Sequence, residues 1–499
     1  MPSAHTCARR GRAIRGRAAR HRAALPSRSG RPMTSSPRQP VLIALLVAGA
    51  FFMENLDATV IVTALPDMAA SFGVRAVDLN VGLSAYLLTL AVFIPASGWV
   101  ADRFGARSVF ASAIIVFTLA SALCAASNSL WSFTAARILQ GIGGAMMVPV
   151  GRLVVLRNTA KQDLMRSIAY ITWPALAAPV LGPPVGGLIT SIASWRWIFL
   201  LNLPLGAIAL VLALRLIPND RDDRHTPFDW LGFVLSGIAC MALMLGLDLI
   251  GHEQIPWPTV GLLLAAALVL GAWAVRHARR HPHPLVGLAA LAIHTYRVTV
   301  RGGSLFRAVV SAVPFLLPLM FQLGFGLDPV QSGLLVLALF AGNLGMKPMT
   351  SWVLRSFGFR TALLANGAVL AATLFACALL TPSTPAALTA ALLVVSGAAR
   401  SMQFTSLNTL AFVDVPKPEM SAANTLFSVT QQISMGLGVA LGAIALRAAE
   451  ASGLAGGSIV AAYQIAFAVL GVLALLSMLD YLPLRRDAGT EVSGHRRQA

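Results

Sequence analysis

Gly98-Trp99-Val100-Ala101-Asp102-Arg103-Phe104-Gly105-Ala106-Arg107 is a short polar stretch between two apolar blocks, and it has an echo later in the chain. Trp352-Val353-Leu354-Arg355-Ser356-Phe357-Gly358-Phe359-Arg360 repeats the pattern of Trp99 to Arg107 at an offset of 253 residues. A chain of 499 residues with such an echo is built from two related halves. The sequence around each copy says what the halves are made of. Overall 57% of residues are hydrophobic and 11% charged, whereas a soluble domain carries about 25% charged residues. Residues 41–62, 108–126 and 262–275 are runs with few or no charges. Crossing the hydrocarbon core takes about 20 apolar residues as a helix. Helix is the form expected, because lipid offers no partner to an open backbone amide. The ten-residue alternation of a membrane barrel is absent.

Blocks of suitable length predict fourteen spans. They cover about 41–64, 79–100, 108–127, 133–156, 167–190 and 198–217, then 230–250 and 259–276. The last six cover about 303–323, 330–353, 361–381, 386–409, 422–447 and 459–482. Loop charge supports an even total with both termini cytoplasmic, because basic residues follow the even-numbered spans. Examples are Arg103 and Arg107; Arg157, Lys161 and Arg166; Arg215, Arg221 and Arg224; Arg276, Arg279 and Arg280; and Arg355 with Arg360. The intervening loops 127–132 and 381–385 have none. The offset between the echoes exceeds six helices, which two helices inserted between the halves would produce. The expected plan is therefore a six-helix half at 41–217, a linker with two extra helices and a basic loop at 218–301, a second half at 302–482, and a cytoplasmic tail at 483–499.

The formal net charge of +19 is more than half accounted for by ten arginines in residues 1–40, a leader without a single acid. Most other basic residues flank the apolar blocks, where they orient helices, so no nucleic-acid partner is expected. The leader has no h-region apart from the first span and is no ordinary signal peptide. It reads as a disordered arm, a transit-like segment, or translated upstream sequence with the true start at Met33. The last is favoured because Met33-Thr-Ser-Ser-Pro-Arg leads straight into the first span. The four cysteines, Cys7, Cys124, Cys240 and Cys377, form no C-x-x-C pair, so neither a disulfide framework nor a zinc site is expected.

In the polar stretch, Gly98 permits close helix packing and Gly105 a tight turn. Asp102 can cap the next helix or pair with an arginine across the interface between halves. The order of residues resembles G-x-x-x-D-R-x-G-x-R/K, the signature of the major facilitator superfamily in this loop. The resemblance implies a gating loop, Gly98, Asp102, Arg103, Gly105 and Arg107, that holds an outward-facing state. The second copy carries Arg355 where Asp102 stands and would lack that pairing.

The first span contains Glu54-Asn55-Leu56-Asp57-Ala58-Thr59, continuing to Leu65-Pro66. Two carboxylates three residues apart share one helix face. At membrane depth they are costly and functional by default, and such groups suit reversible proton binding. The stretch is similar to L-D-x-T-V-x-x-x-A-L-P of the 14-helix drug:proton antiporters, which places Asp57 ahead of Glu54 as proton carrier. Span four reads Arg137-Ile-Leu-Gln140-Gly141-Ile-Gly143-Gly144-Ala145 and looks like the family's R-x-x-Q-G-x-G-x-A element. Arg137 either finds an anionic partner inside the bundle or snorkels to the outer surface. Gly182-Pro183-Pro184-Val185-Gly186-Gly187 resembles the core of the antiporter signature, with Ala169 and Ala178 where its first two glycines belong. The resemblance implies a bend that serves antiport. Ser194-Trp-Arg-Trp-Ile-Phe199 through Gly206, and Phe228-Asp229-Trp230-Leu-Gly232, also look like the 14-helix family. The substrate cavity is expected to draw on Gln140, Trp173, Gln403 and Asn408.

Histidines are absent from span interiors; His277, His281 and His283 lie in a basic loop and read as solvated, with no metal expected. No G-x-x-x-x-G-K-[ST] occurs, so ATP-driven chemistry is not expected. The sequence as a whole reads as an all-α polytopic membrane protein of the major facilitator fold. Its expected work is proton-coupled export of small lipophilic or cationic compounds from the bacterial inner membrane, with protons as coupling ion and no cofactor. A periplasmic adaptor and an outer-membrane channel are the partners a tripartite pump would take. Export of one endogenous metabolite or siderophore is the alternative; a membrane-embedded enzyme or a sensor is more distant.

Overall fold

Apolar sequence with no water to satisfy its amides closes its hydrogen bonds within helices, and that constraint shapes everything the structure describes. The computed structural model describes residues 39–218, 226–251 and 254–495. Residues 1–38 of the leader, with Met33, and the linker residues Arg221 and Arg224 lie outside the described residues.

The chain opens with α1 (Gln39–Phe72), a 34-residue helix that carries Pro66. Next come α2 (Asn80–Phe93), a tight turn over Ile94–Ala96 around Pro95, and α3 (Ser97–Phe104). α4 (Ala106–Ala126) is followed by α5 (Leu130–Asn158), which starts on a reciprocal Ser129–Ser132 capping box. α6 (Leu164–Ile192) leads through the one-turn α7 (Trp197–Leu200) to α8 (Asn202–Leu216). α9 (Trp230–Ile250) and α10 (Trp257–Ala278) pack on each other as a hairpin. α11 (His294–Leu319) continues through a wider turn at Met320–Gly324, and α12 (Pro329–Gly345) starts on an Asp328 cap. α13 (Lys347–Cys377), α14 (Ala386–Val413), α15 (Met420–Ala451), α16 (Ile459–Leu479) and the short α17 (Thr490–Ser493) complete the order.

Among the described residues, twelve helical segments are long and apolar enough to cross a membrane, with α2–α3 and α7–α8 each counted as one. Fourteen spans were expected; α6, of 29 residues, and α12, of 17, fall outside the twelve. The shortfall at α12 has a visible cause. The expected span 330–353 breaks at Met346, ahead of Pro348, so its apolar length is divided between α12 and the first turns of α13.

The echo in the sequence is also an echo of conformation. Pro95 and Pro348 each mark a helix start, and each is followed by a short helical run into a left-handed glycine. Gly105 has φ 88° and ψ 132°, and Gly358 has φ 71° and ψ 168°. A side chain is strained at such φ, which is why glycine occupies both turns. The ring of Trp99 meets Phe104 edge-on at 6.1 Å, and Trp352 meets Phe357 edge-on at 6.3 Å.

Small residues let helices approach where lipid gives no hydrophobic drive to association. α12 and α14 cross backbone to backbone at Gly342 and Gly397, where a Cβ would strike the carbonyls of Val394 and Leu339. The α9–α10 hairpin packs through α9 onto α2 and α15, while α3 and α5 meet α15, and α6 meets α12 and α14. Gly397→Val should therefore lower the thermal midpoint of the detergent-purified protein, by the equivalent of about 1–3 kcal/mol. Gly345→Ala, which meets nothing within 4 Å, should leave it in place. Equal midpoints for both variants would show that the crossing is not tight.

Candidate functional site

The helix spacing of Glu54 and Asp57 puts both carboxylates on one side of α1, yet their surroundings differ sharply. Asp57 is 2% exposed and lies among groups from three other helices. Arg137 Nη1 on α5 donates to Asp57 Oδ2 at 2.6 Å. Gln140 Nε2 donates to Oδ1 at 3.0 Å, and Asn202 Nδ2, at the start of α8, donates to the same oxygen at 2.8 Å. Ser121 Oγ on α4 then accepts from both amides, at 2.9 and 3.2 Å. Arg137 also donates to Gln140 Oε1 at 2.5 Å, and its guanidinium lies 4.3 Å from the centre of the Tyr86 ring. A charge at membrane depth is tolerated only when partnered, and the geometry here supplies partners on every side of the carboxylate. Of the two alternatives for Arg137, the buried pair is the one found.

Glu54, one turn earlier, is different. Tyr86 Oη donates to its Oε1 at 3.3 Å, while Oε2 is buried with no partner in the protein. Glu54 and Tyr86 line a cavity of about 880 Å³. The cavity is walled by α1, α2, α5 and α6 on one side and by α11, α12, α14 and α15 on the other, with α9 at its edge. Exposed Asn80 and Asp248 mark one end of it, and Ser84 Oγ donates to Asp248 across that end at 3.3 Å.

The opposite end is closed by contacts between α15 and the α3–α5 face. Ser421 Oγ donates to the Gly98 carbonyl at 3.3 Å, and Asn424 Nδ2 to the Pro149 carbonyl at 2.8 Å. A Cβ at Gly98 would strike Thr425, so the glycine is needed for this approach. Asp102 pairs with Arg157 at 2.5 Å. That partner is on α5, within the first half, and the cap of α4 is Gly105 without a side-chain bond. Neither a cross-half ion pair nor an Asp102 cap forms; the crossing contact is made by Gly98 instead. Arg103 is exposed and Arg107 half-buried.

α6 runs helically across Gly182–Gly187. A side chain at Gly182 would strike Thr59, and one at Gly186 would strike Thr63, so both glycines serve the packing of α6 on α1. Gly187 meets nothing within 4 Å, and the Pro183 side chain lies outside the described atoms. Of the four expected cavity residues, Asn408 lines the wall. Gln140 is taken up in the Asp57 network, and Gln403 is buried, accepting from Asn366 Nδ2 at 2.9 Å. Trp173 is 46% exposed and does not line the cavity.

Several site residues were not singled out from sequence. Ser121 and Tyr86 carry no charge and sit on separate helices, so nothing local marks them, while Asn202 stood in the family-like Ser194–Gly206 segment without an assigned role. Arg152 and Arg307, which line the cavity, do carry a signal, a lone cation inside an apolar span, and could have been found. The histidine loop also gains an acid. Asp229 Oδ1, which caps α9 through Gly232 N at 2.8 Å, lies 2.8 Å from His277 Nε2, with the His281 ring 5.0 Å from that of His277. Burial opposes the charge of Asp229, but the Gly232 amide and His277 outweigh it and hold the carboxyl below its ordinary range. The acid precedes His277 by 48 residues, so only the α9–α10 hairpin brings them together.

Breaking a buried pair leaves an uncompensated charge, at a cost of about 3–5 kcal/mol, whereas replacing both partners by apolar groups can be neutral. Arg137→Met and Asp57→Leu should each lower the unfolding midpoint strongly in detergent, and the double variant should recover most of the loss. Additive losses in the double variant would contradict the pairing.

The matches to known proteins follow the same outline. The family model described as Major Facilitator Superfamily matches residues 47–439. Proteins named "Putative multidrug resistance protein MdtD" are similar along most of the chain. The one from Pectobacterium atrosepticum is 38% identical over 405 residues, 80% of this chain and 86% of its own length. That from Citrobacter koseri is 36% identical over 416 residues, 83% and 88% respectively. Two solved structures share the fold: the human organic anion transporter MFSD10 (TM-score 0.62, 15% identity, 89% of this chain and 100% of that one) and the proton:xylose symporter XylE (TM-score 0.61, 14% identity, 89% and 96%). A helical bundle of membrane-spanning length around a central cavity, a family match over most of its residues and relatives above one-third identity lead to one conclusion: the chain belongs to the Major Facilitator Superfamily and is a multi-pass membrane transporter rather than an enzyme.

Proposed function

We propose that the protein is a fourteen-span, proton-coupled exporter of small molecules in the bacterial inner membrane. The twelve long apolar segments, α13 among them, become fourteen when α6 and α12 are counted as crossings. The division into six, two and six helices then follows the two glycine turns at Gly105 and Gly358. The basic loops support cytoplasmic termini, and the names of the relatives, which refer to multidrug resistance, support export.

The observation that carries the reading is the contrast between two carboxylates one turn apart. Asp57 is closed off by Arg137, Gln140 and Asn202, whereas Glu54 has an oxygen without a partner and borders the cavity. This reverses the expected order. Glu54 takes and releases the coupling proton, and Asp57 with Arg137 is the fixed network that reports its charge to α5 and α8 through Tyr86. Protonation of Glu54 biases the alternating-access equilibrium, since a bound proton shifts the two states only by its different interactions in each. With the Asp102 loop on the cytoplasmic side, the contacts of Gly98, Ser421 and Asn424 close the inner end, and the cavity reaches the outer one. Asp102 and Arg157, both about one-third exposed, tie the loop to α5 within the first half and add little to stability. Release to the periplasm completes the cycle; a tripartite pump would add an adaptor and a channel, detectable by co-purification.

Export of one endogenous metabolite is the second reading, favoured by three arginines in the cavity wall, which a permissive apolar pocket would not need. In inverted vesicles, a pH gradient should drive uptake by the parent, and Glu54→Gln should abolish that uptake while leaving substrate exchange without a gradient. Gradient-driven uptake by Glu54→Gln at the parent rate would remove Glu54 from coupling.

A further inference from the structure

The cavity wall carries more fixed positive charge than the proton-coupling groups account for. Arg152 on α5, Arg307 on α11 and Arg400 on α14 all line it. Among the described residues none of the three is in an ion pair with a carboxylate. Arg307 is 2% exposed and donates only to neutral oxygens, Asn408 Oδ1 at 3.3 Å and the Thr299 carbonyl at 3.4 Å; its Nε is buried with no partner. Arg400 Nη1 is likewise buried and unpartnered. Arg152 reaches Ser428 Oγ at 3.3 Å and Gln431 Oε1 at 3.1 Å. The guanidiniums of Arg152 and Arg307 lie 5.1 and 4.6 Å from the centre of one ring, Phe427. Asn343, also in the wall and 1% exposed, has neither side-chain polar atom partnered.

Arg152 has a structural occupation, since its bonds join α5 to α15 next to the closed end. Arg307 bonds to another helix only through Asn408 on α14, within the same side of the cavity, and keeps an unpartnered Nε, as Arg400 keeps an unpartnered Nη1. Two like charges held in a desolvated wall are costly without a counter-charge. Guanidinium forks match the geometry of carboxylate and phosphate oxygens. The acids on the same cavity lie elsewhere: Glu54 is on the α1 wall and Asp248 is exposed at the mouth. Phe315, Phe404, Phe412 and Met435 give the remaining wall an apolar character.

We propose that the cargo is an organic anion with two or more carboxylate or phosphate groups on a compact apolar body, gripped by Arg307 and Arg400 with Asn343 beside them. This rests on the export reading above and replaces the expected cationic cargo, which three fixed arginines would repel. Cargo and proton occupy separate walls and act on each other through the conformational equilibrium. Export of such an anion also moves negative charge outward, so an inside-negative potential assists it.

The test is equilibrium binding to the purified full-length protein in detergent, by calorimetry, with benzoate, phthalate and trimesate as one-, two- and three-carboxylate probes on the same ring. Tetraphenylphosphonium serves as the lipophilic cation. Affinity should rise from benzoate to trimesate. Arg307→Gln and Arg400→Gln should each weaken trimesate about tenfold or more, the usual effect of losing a hydrogen bond to a charged group. Arg307→Lys should recover part of the loss, and Arg297→Gln, at an exposed site, should change nothing. Unfolding midpoints of the variants show whether each is folded. Affinity that does not rise with carboxylate number, or tetraphenylphosphonium binding tighter than trimesate, would overturn the proposal. Because binding needs no gradient, graded anion affinity in a protein that fails to transport would sink the export reading alone.

Discussion

Inside a hydrocarbon layer no water is at hand, so every amide and every charge must find its partner within the protein. The long helices satisfy the amides. The charges are satisfied more unevenly, and that unevenness is where the chemistry lies. Asp57 and Arg137 sit in a set of five side chains from four helices that satisfies both carboxylate oxygens, leaves only Arg137 Nε without a partner, and ties α1, α4, α5 and α8 into one body. Glu54, Arg307, Arg400 and Asn343 are left with unpartnered atoms, and all four border the same cavity. On the proposed reading, a rigid electrostatic frame is thereby kept apart from the groups that would take proton and cargo.

The same constraint explains how movement is allowed. Hydrogen bonds between the two sides of the cavity gather at the closed end, beside the close packing of Gly98 on Thr425. They include Ser421 to Gly98, Asn424 to Pro149, and Arg152 to Ser428 and Gln431. Lys347 adds one more link, donating to Thr172 on α6 at 3.0 Å and Thr405 on α14 at 2.7 Å. Within each side, by contrast, glycines bring backbones into contact, as at Gly342 with Gly397 or Gly182 with Thr59. On the proposed reading, the hydrogen bonds between sides are what would break and re-form as access alternates.

Much of this was legible in the chain. Apolar block length gave the helices, because each crossing is a local property of about 20 residues. The echo at Gly105 and Gly358 was readable because a left-handed turn admits few residues. Where length was misleading, a proline was responsible, as in the division between α12 and α13. The charged members of the site, Asp57, Glu54 and Arg137, stood out against apolar neighbours. Which carboxylate is sealed could not be read, because Gln140, Ser121 and Asn202 reach Asp57 only through tertiary packing. Trp173 was misplaced for a related reason: an aromatic in a span faces the cavity or the outside, and helix rotation alone decides which. Asp102 found its arginine on the same half, at the end of α5.

The central claim is that the protonation of Glu54 selects between two states of the bundle. Spin labels at Phe104 and Lys417, both exposed on opposite sides of the closed end, allow that end to be followed by pulsed electron resonance as pH is varied. The account predicts a distance distribution that shifts with pH in the parent and stays fixed in Glu54→Gln. A shift that persists in Glu54→Gln, or a parent distribution indifferent to pH, would contradict it.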